Sequence, residues 1–314
     1  MRQRVLITGI AGFVGSHVAE QLQSEGYEVH GLVRQIPSEN ASLAANVALH
    51  RGDLADVDSI ERTLLEVRPD AVLHFAEPLP IDGADPELLR AGPVGTTDAL
   101  LRTLERLSAV RVVYCSSAAV YGVPVRLPVD ESAALRPTTP YGEGKALAES
   151  MVKRYASGGR SAVILRPGNL LGPRLRSGLA VSDFARQIAE IECDRGAPIL
   201  RHGRLDIERD FVDVRDMARA CTSILPTMQP GLAVFNVGSG RPVALSEILR
   251  ILRAEARREV LLDSDESRTR PGDLQSIALD TGRLRRATGW TPTIPLERSV
   301  IDTLDYWRSL VTRQ

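Results

Sequence analysis

Thr8-Gly9-Ile10-Ala11-Gly12-Phe13-Val14-Gly15 joins a short apolar run, residues 4–7, to residues 13–25, where Val14, Val18 and Leu22 recur at helical spacing. The glycines let the chain turn tightly and let an anionic group approach the backbone, while the helix that follows turns its positive end toward that group. In strand–turn–helix context this pattern cradles a dinucleotide pyrophosphate, and Gly9, Gly12, Phe13, Val14 and Gly15 are the residues expected to hold it. A glycine-rich turn present for steric reasons alone is the competing reading.

Outward from this loop, apolar runs alternate with longer amphipathic stretches. Residues 28–33, 47–51, 71–75, 111–115 and 162–166 read as further strands, and 57–67 and 139–157 as helices. That is the rhythm of βαβ units, with a parallel sheet covered by helices on both faces. Two stretches break it. Residues 77–93 hold Pro78, Pro80, Gly83, Pro86, Gly92 and Pro93, so any helix there starts late; residues 121–140 hold Pro124, Pro128, Pro137 and Pro140 and read as an irregular segment. Past Pro167 the alternation loosens, with helices at 184–192, 246–256 and 296–310 and strands at 210–214, 234–237 and 259–262. The expected fold is α/β, a Rossmann-type doubly wound parallel sheet with a smaller C-terminal α/β substrate-binding domain. Residues 1–168, with roughly 207–240, are assigned to the dinucleotide-binding domain; residues 169–206 and 241–314 are assigned to the other.

The bulk numbers agree. The chain has 314 residues, 43% hydrophobic and 25% charged, enough for a large α/β domain with a smaller partner. A formal net charge of −1 argues against nucleic acid or an anionic membrane as partner. Arginines between 250 and 258 are interleaved with Glu255 and followed by Glu259, a solvated face. Cys115, Cys193 and Cys221 lie far apart without metal-ligand spacing, which fits small core residues in a reducing compartment. The N-terminus has no signal-peptide pattern, and no apolar run nears the ~18 residues that cross a bilayer. A cytoplasmic protein is expected. His30, His50, His74 and His202 have no companions at ligand spacing and His17 reads as a packing or capping residue, so no metal site is expected.

The second strand ends at Arg34, about twenty residues past the glycines, where NAD-preferring folds place an acidic residue on the ribose 2′-hydroxyl. Residues 31–34 contain no Asp or Glu, and an arginine there suits the 2′-phosphate of NADP. NADP(H) is therefore the preferred cofactor, with NAD(H) possible and a plain surface arginine the alternative. Asp53, followed by Leu54, either accepts from the adenine amino group or caps the next helix. Ser116-Ser117 closes the fifth strand, and Tyr141-Gly142-Glu143-Gly144-Lys145 opens the long helix. Tyr141 and Lys145, four apart, share a helical face. An ammonium there is expected to pull the phenol below its reference pKa of about 10. Such a phenol can give or take a proton at a sugar alcohol or ketone while hydride moves to or from nicotinamide.

With these residues the chain resembles the extended short-chain dehydrogenase/reductase superfamily over almost its whole length. The matching pieces begin with the glycine loop, Ser116-Ser117-Ala118-Ala119-Val120-Tyr121-Gly122, and Tyr141 with Lys145. They continue in Arg166-Pro167-Gly168-Asn169 with Gly172-Pro173, in 209–216, in Asn236-Val237-Gly238-Ser239-Gly240 and in Thr288-Gly289-Trp290-Thr291-Pro292. The resemblance implies that Ser117, Tyr141 and Lys145 are catalytic, with Tyr141 and Lys145 also touching the cofactor beside Asp53 and Leu54. It implies that Asn169, Arg209 and Arg270 hold a nucleotide diphosphate sugar. Residues 184–188, Arg270-Pro271-Gly272-Asp273 and Asp305-Tyr306-Trp307-Arg308 look most like the GDP-4-keto-6-deoxy-mannose reductases and the related dehydratases. The family's dimers pair two helices each, which here end near Leu107 and Ser157; a homodimer is expected.

Dehydratases of this superfamily carry Asp or Ser and then Glu just before the aliphatic-Tyr-Gly, where this chain has Ala118 and Ala119. Methyl groups cannot move protons, so no 4,6-dehydration is expected. Two reactions need only Ser, Tyr and Lys: reduction of a C4 ketone by NADPH, and C4 epimerisation on tightly bound NAD. Arg34 and the second half favour the reductase; the 116–122 segment looks as much like the epimerases. A non-catalytic dinucleotide- or nucleotide-sugar-binding protein is the rival from another class, opposed by retention of all three catalytic residues. Two departures stand out. The usual His-x-Ala-Ala is His74-Phe75-Ala76-Glu77, and the usual Asn-Val-x-Gly-Thr is Gly92-Pro93-Val94-Gly95-Thr96. Glu77 reads as a substituted proton carrier, a cation-binding group or a side chain pointing into solvent.

Overall fold

The computed structural model describes residues 2–36, 47–77, 84–107, 110–268 and 274–312. In chain order the elements are β1 (Arg4–Thr8), α1 (Phe13–Ser24), β2 (Glu28–Val33), β3 (Ala48–Arg51), α2 (Val57–Val67), β4 (Ala71–His74), α3 (Pro86–Leu107) and β5 (Arg111–Cys115). Then come α4 (Pro140–Ser157), β6 (Ser161–Pro167), β7 (Asn169–Leu171), α5 (Ala180–Glu192), β8 (Ile199–His202), β9 (Glu208–Asp213) and α6 (Val214–Ile224). The chain ends through β10 (Gly231–Val237), β11 (Pro242–Ala244), α7 (Leu245–Ala254), β12 (Leu261–Ser264), α8 (Gly282–Thr288) and α9 (Leu296–Val311).

Seven strands form one parallel sheet in the order β3-β2-β1-β4-β5-β6-β10. Period-two alternation assigns its two faces. Val5 and Ile7 of β1, Leu73 of β4 and Val113 of β5 meet Val18 and Leu22 of α1 and Met217 and Cys221 of α6. Leu6, Val72, Val112 and Tyr114 face the other way, into Ile60 and Leu64 of α2, Leu100 and Leu104 of α3, and Val152 and Tyr155 of α4. Full burial of a side chain such as Leu100 or Leu104 is worth about 1.5–3 kcal/mol.

Local chemistry sets the helix starts. Asp56 caps α2 by accepting from Asp58 N, and Thr139 caps α4 by accepting from Gly142 N, with Pro140 in the first turn where a missing N–H costs nothing. α3 opens at another proline, Pro86, and continues through Gly92 and Pro93 to Leu107, so Pro93 removes one hydrogen bond without ending the helix.

The second half builds a smaller body. β7, β9 and β11 make a three-stranded sheet with β9 in the middle, and β8 pairs with β12. α5, α7 and α9 close a separate core of Phe184, Ile188, Ile248, Leu252, Val300 and Leu304. β9 belongs to this small sheet, while α6 packs on α1 and β10 returns to the edge of the large one. Among the described residues no helix is long and apolar enough to cross a membrane.

Candidate active site

The chain leaves β1 toward β2 but leaves β4 toward β5, so the order of the sheet reverses between the neighbours β1 and β4. A crevice opens at such a reversal, outside the carboxyl ends of the strands. The glycine loop after β1, residues 75–77 after β4 and Ser116-Ser117 after β5 all emerge there.

The loop fits a dinucleotide phosphate. Gly9 sits at φ +72°, and a Cβ on it would stand 2.8 Å from the backbone of Phe75 and Ala76. Gly12 N donates to Gly9 O at 2.9 Å. Gly12 then opens α1 with no side-chain cap and no acidic residue in the first turn, which leaves the Phe13 and Val14 end of the helix clear of competing side chains.

Arg34 follows β2 directly and is exposed. Of the two readings of Asp53, the cap belongs instead to Asp56; Asp53 is exposed, and its Oδ1 accepts from Ala55 N at 3.0 Å. The Leu54 side chain is buried in the core beneath α2.

Ser117, Tyr141 and Lys145 come together. Ser117 caps a short 3-10 helix, Ala118–Tyr121, accepting from Ala119 N at 3.1 Å. Gly142 lets α4 start against that helix, since a Cβ there would lie 2.6 Å from Ala119 O. The Ser117 hydroxyl lies beside the Tyr141 phenol, close enough to lower its pKa. Lys145 is 3% exposed; its ammonium donates to Cys115 O and lies 5.6 Å from the centre of the Tyr141 ring and 5.0 Å from that of Tyr114. Ala118 is buried and Ala119 half-buried.

Glu77 completes this cluster and does not point into solvent. Its side chain is 5% exposed and ion-paired with the Lys145 ammonium. Burial raises the Glu77 carboxyl above its ordinary range, against the pull of Lys145 and of hydrogen bonding from Lys145 and Tyr114. Burial alone would lower Lys145, but Glu77, Tyr141 and Cys115 outweigh it and hold the ammonium above its ordinary value.

The expectation of a depressed Tyr141 is overturned. Burial pushes the phenol up to about 12; Lys145 and Ser117 draw it down, while Glu77 and Cys115 add to the rise. Beside them His74 Nδ1 bonds the Thr8 hydroxyl at 2.7 Å, and burial with the Lys145 charge lowers this imidazole to about 3. Among the described residues His74 Nε2 and the Tyr114 hydroxyl oxygen have no hydrogen-bond partner of normal geometry.

One turn further along α4, a second buried system supports the first. Arg166 clamps Glu149 through Nε (2.9 Å) and Nη2 (2.7 Å), and the Ser116 hydroxyl donates to the same carboxylate at 2.7 Å. Arg166 Nη1 reaches the Tyr121 hydroxyl (3.0 Å), which donates to Asn236 Oδ1 at 2.6 Å. Asn236 Nδ2 donates to Val129 O and Asp280 O. In the sequence Ser116, Tyr121, Arg166 and Asn236 stand out only within the matching pieces, and Glu149 does not stand out at all. The available signal was an arginine ending an apolar strand and a glutamate on the buried side of a helix.

The predicted sugar-binding residues divide. Asn169 is exposed at the start of β7 and Arg209 lies on the adjoining β9, so one small sheet carries both. Arg209 Nη1 is held by Glu208 O (2.8 Å) and Leu274 O (2.7 Å). The next residue, Asp210, is fully buried and gathers Ser239 N, Gly240 N and Leu279 N. Arg270 lies outside the described residues. Among the described residues no group of three or more His, Cys, Asp or Glu could hold a metal ion.

Residues 5–238 match the model of a family described as the NAD dependent epimerase/dehydratase family. The chain is 31% identical over 320 residues to the GDP-6-deoxy-D-mannose reductase of Pseudomonas aeruginosa, covering all of both chains. The structure of RMD from Pseudomonas aeruginosa complexed with NADPH superposes with a TM-score of 0.83 at 31% identity, covering 98% of this chain and 100% of that one. The UDP-glucose 4-epimerase of Thermus thermophilus, in complex with NAD, superposes at 0.85 with 29% identity, covering 98% and 99%.

Proposed function

The chain belongs to the NAD dependent epimerase/dehydratase family, an extended short-chain dehydrogenase/reductase family, and we propose that within it the chain reduces the C4 ketone of a nucleotide-linked 4-keto-6-deoxy sugar, GDP-4-keto-6-deoxy-mannose first, with NADPH. The observation that carries this choice is Arg34, exposed at the end of β2 with no carboxylate from 31 to 34, where a guanidinium favours a 2′-phosphate. Similarity to a deoxymannose reductase along the whole chain supports it.

In this reading Asn169 and Arg209, on the small sheet, hold the nucleotide sugar, together with Arg270. The Ser117 hydroxyl donates to the carbonyl oxygen. A dinucleotide held over the glycine loop by Gly9, Gly12, Phe13, Val14 and Gly15 would supply hydride. Tyr141 gives its proton to the developing alkoxide, so the ketone becomes an alcohol and the phenolate that remains is stabilised by Lys145 until water returns the proton. Ala118 and Ala119 offer no group to eliminate the C6 hydroxyl. The cofactor domain comprises residues 1–168 with part of 207–240, the sugar domain 169–206 and 241–314, and a homodimer pairs α3 with α4, whose Leu88 and Leu147 are exposed.

The test is NADPH oxidation, followed by loss of its near-ultraviolet absorbance, with GDP-4-keto-6-deoxy-mannose made in situ by a separate dehydratase. Rapid oxidation, slower with NADH, is expected. Absence of oxidation, together with NAD bound to the purified protein, establishes instead the second reading, a nucleotide-sugar 4-epimerase, which the resemblance of segment 116–122 and the Thermus thermophilus structure favour.

A further inference from the structure

Among the described residues Glu77 is the one carboxylate that the proposed chemistry leaves unused in the catalytic cluster. It lies two residues beyond Phe75, on the chain that packs against Gly9, at the point where the sheet order reverses. Its partner is the catalytic ammonium, and both side chains are nearly inaccessible to water, at 5% and 4%. A buried carboxylate without a counter-charge is costly, as is a buried ammonium, so each fixes the other. We infer that Glu77 is a positioning residue that neutralises Lys145 and keeps Tyr141 a protonated phenol, which sets the resting site to donate a proton to a ketone rather than to take one from an alcohol.

The inference rests on the reading of Tyr141 as the proton-transfer group. Reduction starts from a phenol; oxidation of a C4 hydroxyl, the first half of an epimerisation, starts from a phenolate. A lone ammonium beside the ring favours the phenolate, and a carboxylate paired with that ammonium removes most of the advantage. The groups facing the phenol are Lys145 on its own helix, Cys115 from β5, Ser117 after β5 and Glu77 after β4. Those facing Glu77 are Lys145, Tyr114, Tyr141 and Cys115. The remaining titratable neighbour, His74, stays uncharged through the neutral range, so Glu77 is the negative charge that opposes Lys145.

The experiment needs no substrate. Tyrosinate formation is followed by ultraviolet difference titration of the intact protein, and subtraction of the Tyr141→Phe titration isolates Tyr141. In the unmutated protein the midpoint is expected above the free phenol's value of about 10. Glu77→Gln, which keeps shape and removes charge, is expected to lower the midpoint by about 1–3 pH units. Glu77→Asp, which keeps the charge, should lower it less. Both variants are titrated after their thermal midpoints match the parent. A parent midpoint below that of the free phenol, or a Glu77→Gln midpoint equal to or above the parent's, overturns the inference. In turnover, the alkaline limb of kcat for ketone reduction should move down in Glu77→Gln with KM little changed, which a merely structural residue would not produce. Failure of the titration beside working NADPH oxidation removes only the role of Glu77. Success of the titration beside absent oxidation removes only the reductase reading.

Discussion

Two buried ion pairs hang from one face of α4, a turn apart, and they are built on opposite plans. Glu149 with Arg166 is saturated: the carboxylate collects two guanidinium N–H groups and the Ser116 hydroxyl, and the guanidinium goes on to the Tyr121 hydroxyl. Lys145 with Glu77 is left open, with His74 beside it carrying a ring nitrogen, Nε2, that bonds nothing among the described residues. A saturated network rigidifies its surroundings; an open one leaves donors and acceptors for something that arrives later. The first pair makes the site, and the second uses it.

The largest effect that would break this contrast is chemical. Tyr141→Phe is expected to cut ketone reduction by about 10²–10⁴-fold while thermal stability stays within the ordinary range of a partly exposed substitution. Steady-state rates beside a melting curve check it, and a large fall in stability would show that the open region is structural after all. Next comes Glu149→Ala, which leaves the Arg166 charge buried and unpaired. It should cost about 3–5 kcal/mol of stability, read by urea denaturation; a loss below about 1 kcal/mol would mean that the clamp is dispensable. A pH effect sharpens the open side. His74 is held neutral when folded, with its pKa lowered to about 3, but takes a proton near 6.5 when unfolded. The unfolded state therefore binds more protons between these values. The resulting stability is complete above about pH 6.5 and is lost at about 1.4 kcal/mol per pH unit as pH falls toward 3. His74→Gln should flatten the dependence of stability on pH by one proton, and an unchanged slope would contradict the buried neutral imidazole.

The sequence was legible where one residue type answers one local demand. The glycine loop, the period-two strands and the Tyr141–Lys145 spacing all appear in the structure where local pattern places them. Legibility ended where a property depends on partners distant in the chain. The spacing of Tyr141 and Lys145 shows a cation near a phenol, but not that Glu77, more than sixty residues earlier in the chain, cancels it. Glu149 is an ordinary helix residue until β6 lays Arg166 against it. Pro93 looked like punctuation, yet α3 runs through it because packing against α2 and α4 outweighs one lost hydrogen bond.

Asn236 also bears on the order of synthesis. The Tyr121 hydroxyl finds its acceptor on β10, and β10 closes the open edge of β6. A ribosome that has released only the first two hundred residues therefore holds a nascent chain with every catalytic side chain already made, but with a sheet still short of its last strand and a buried phenol still short of its acceptor. Assembly of the large sheet therefore waits for β10, which ends at Val237 of 314 residues.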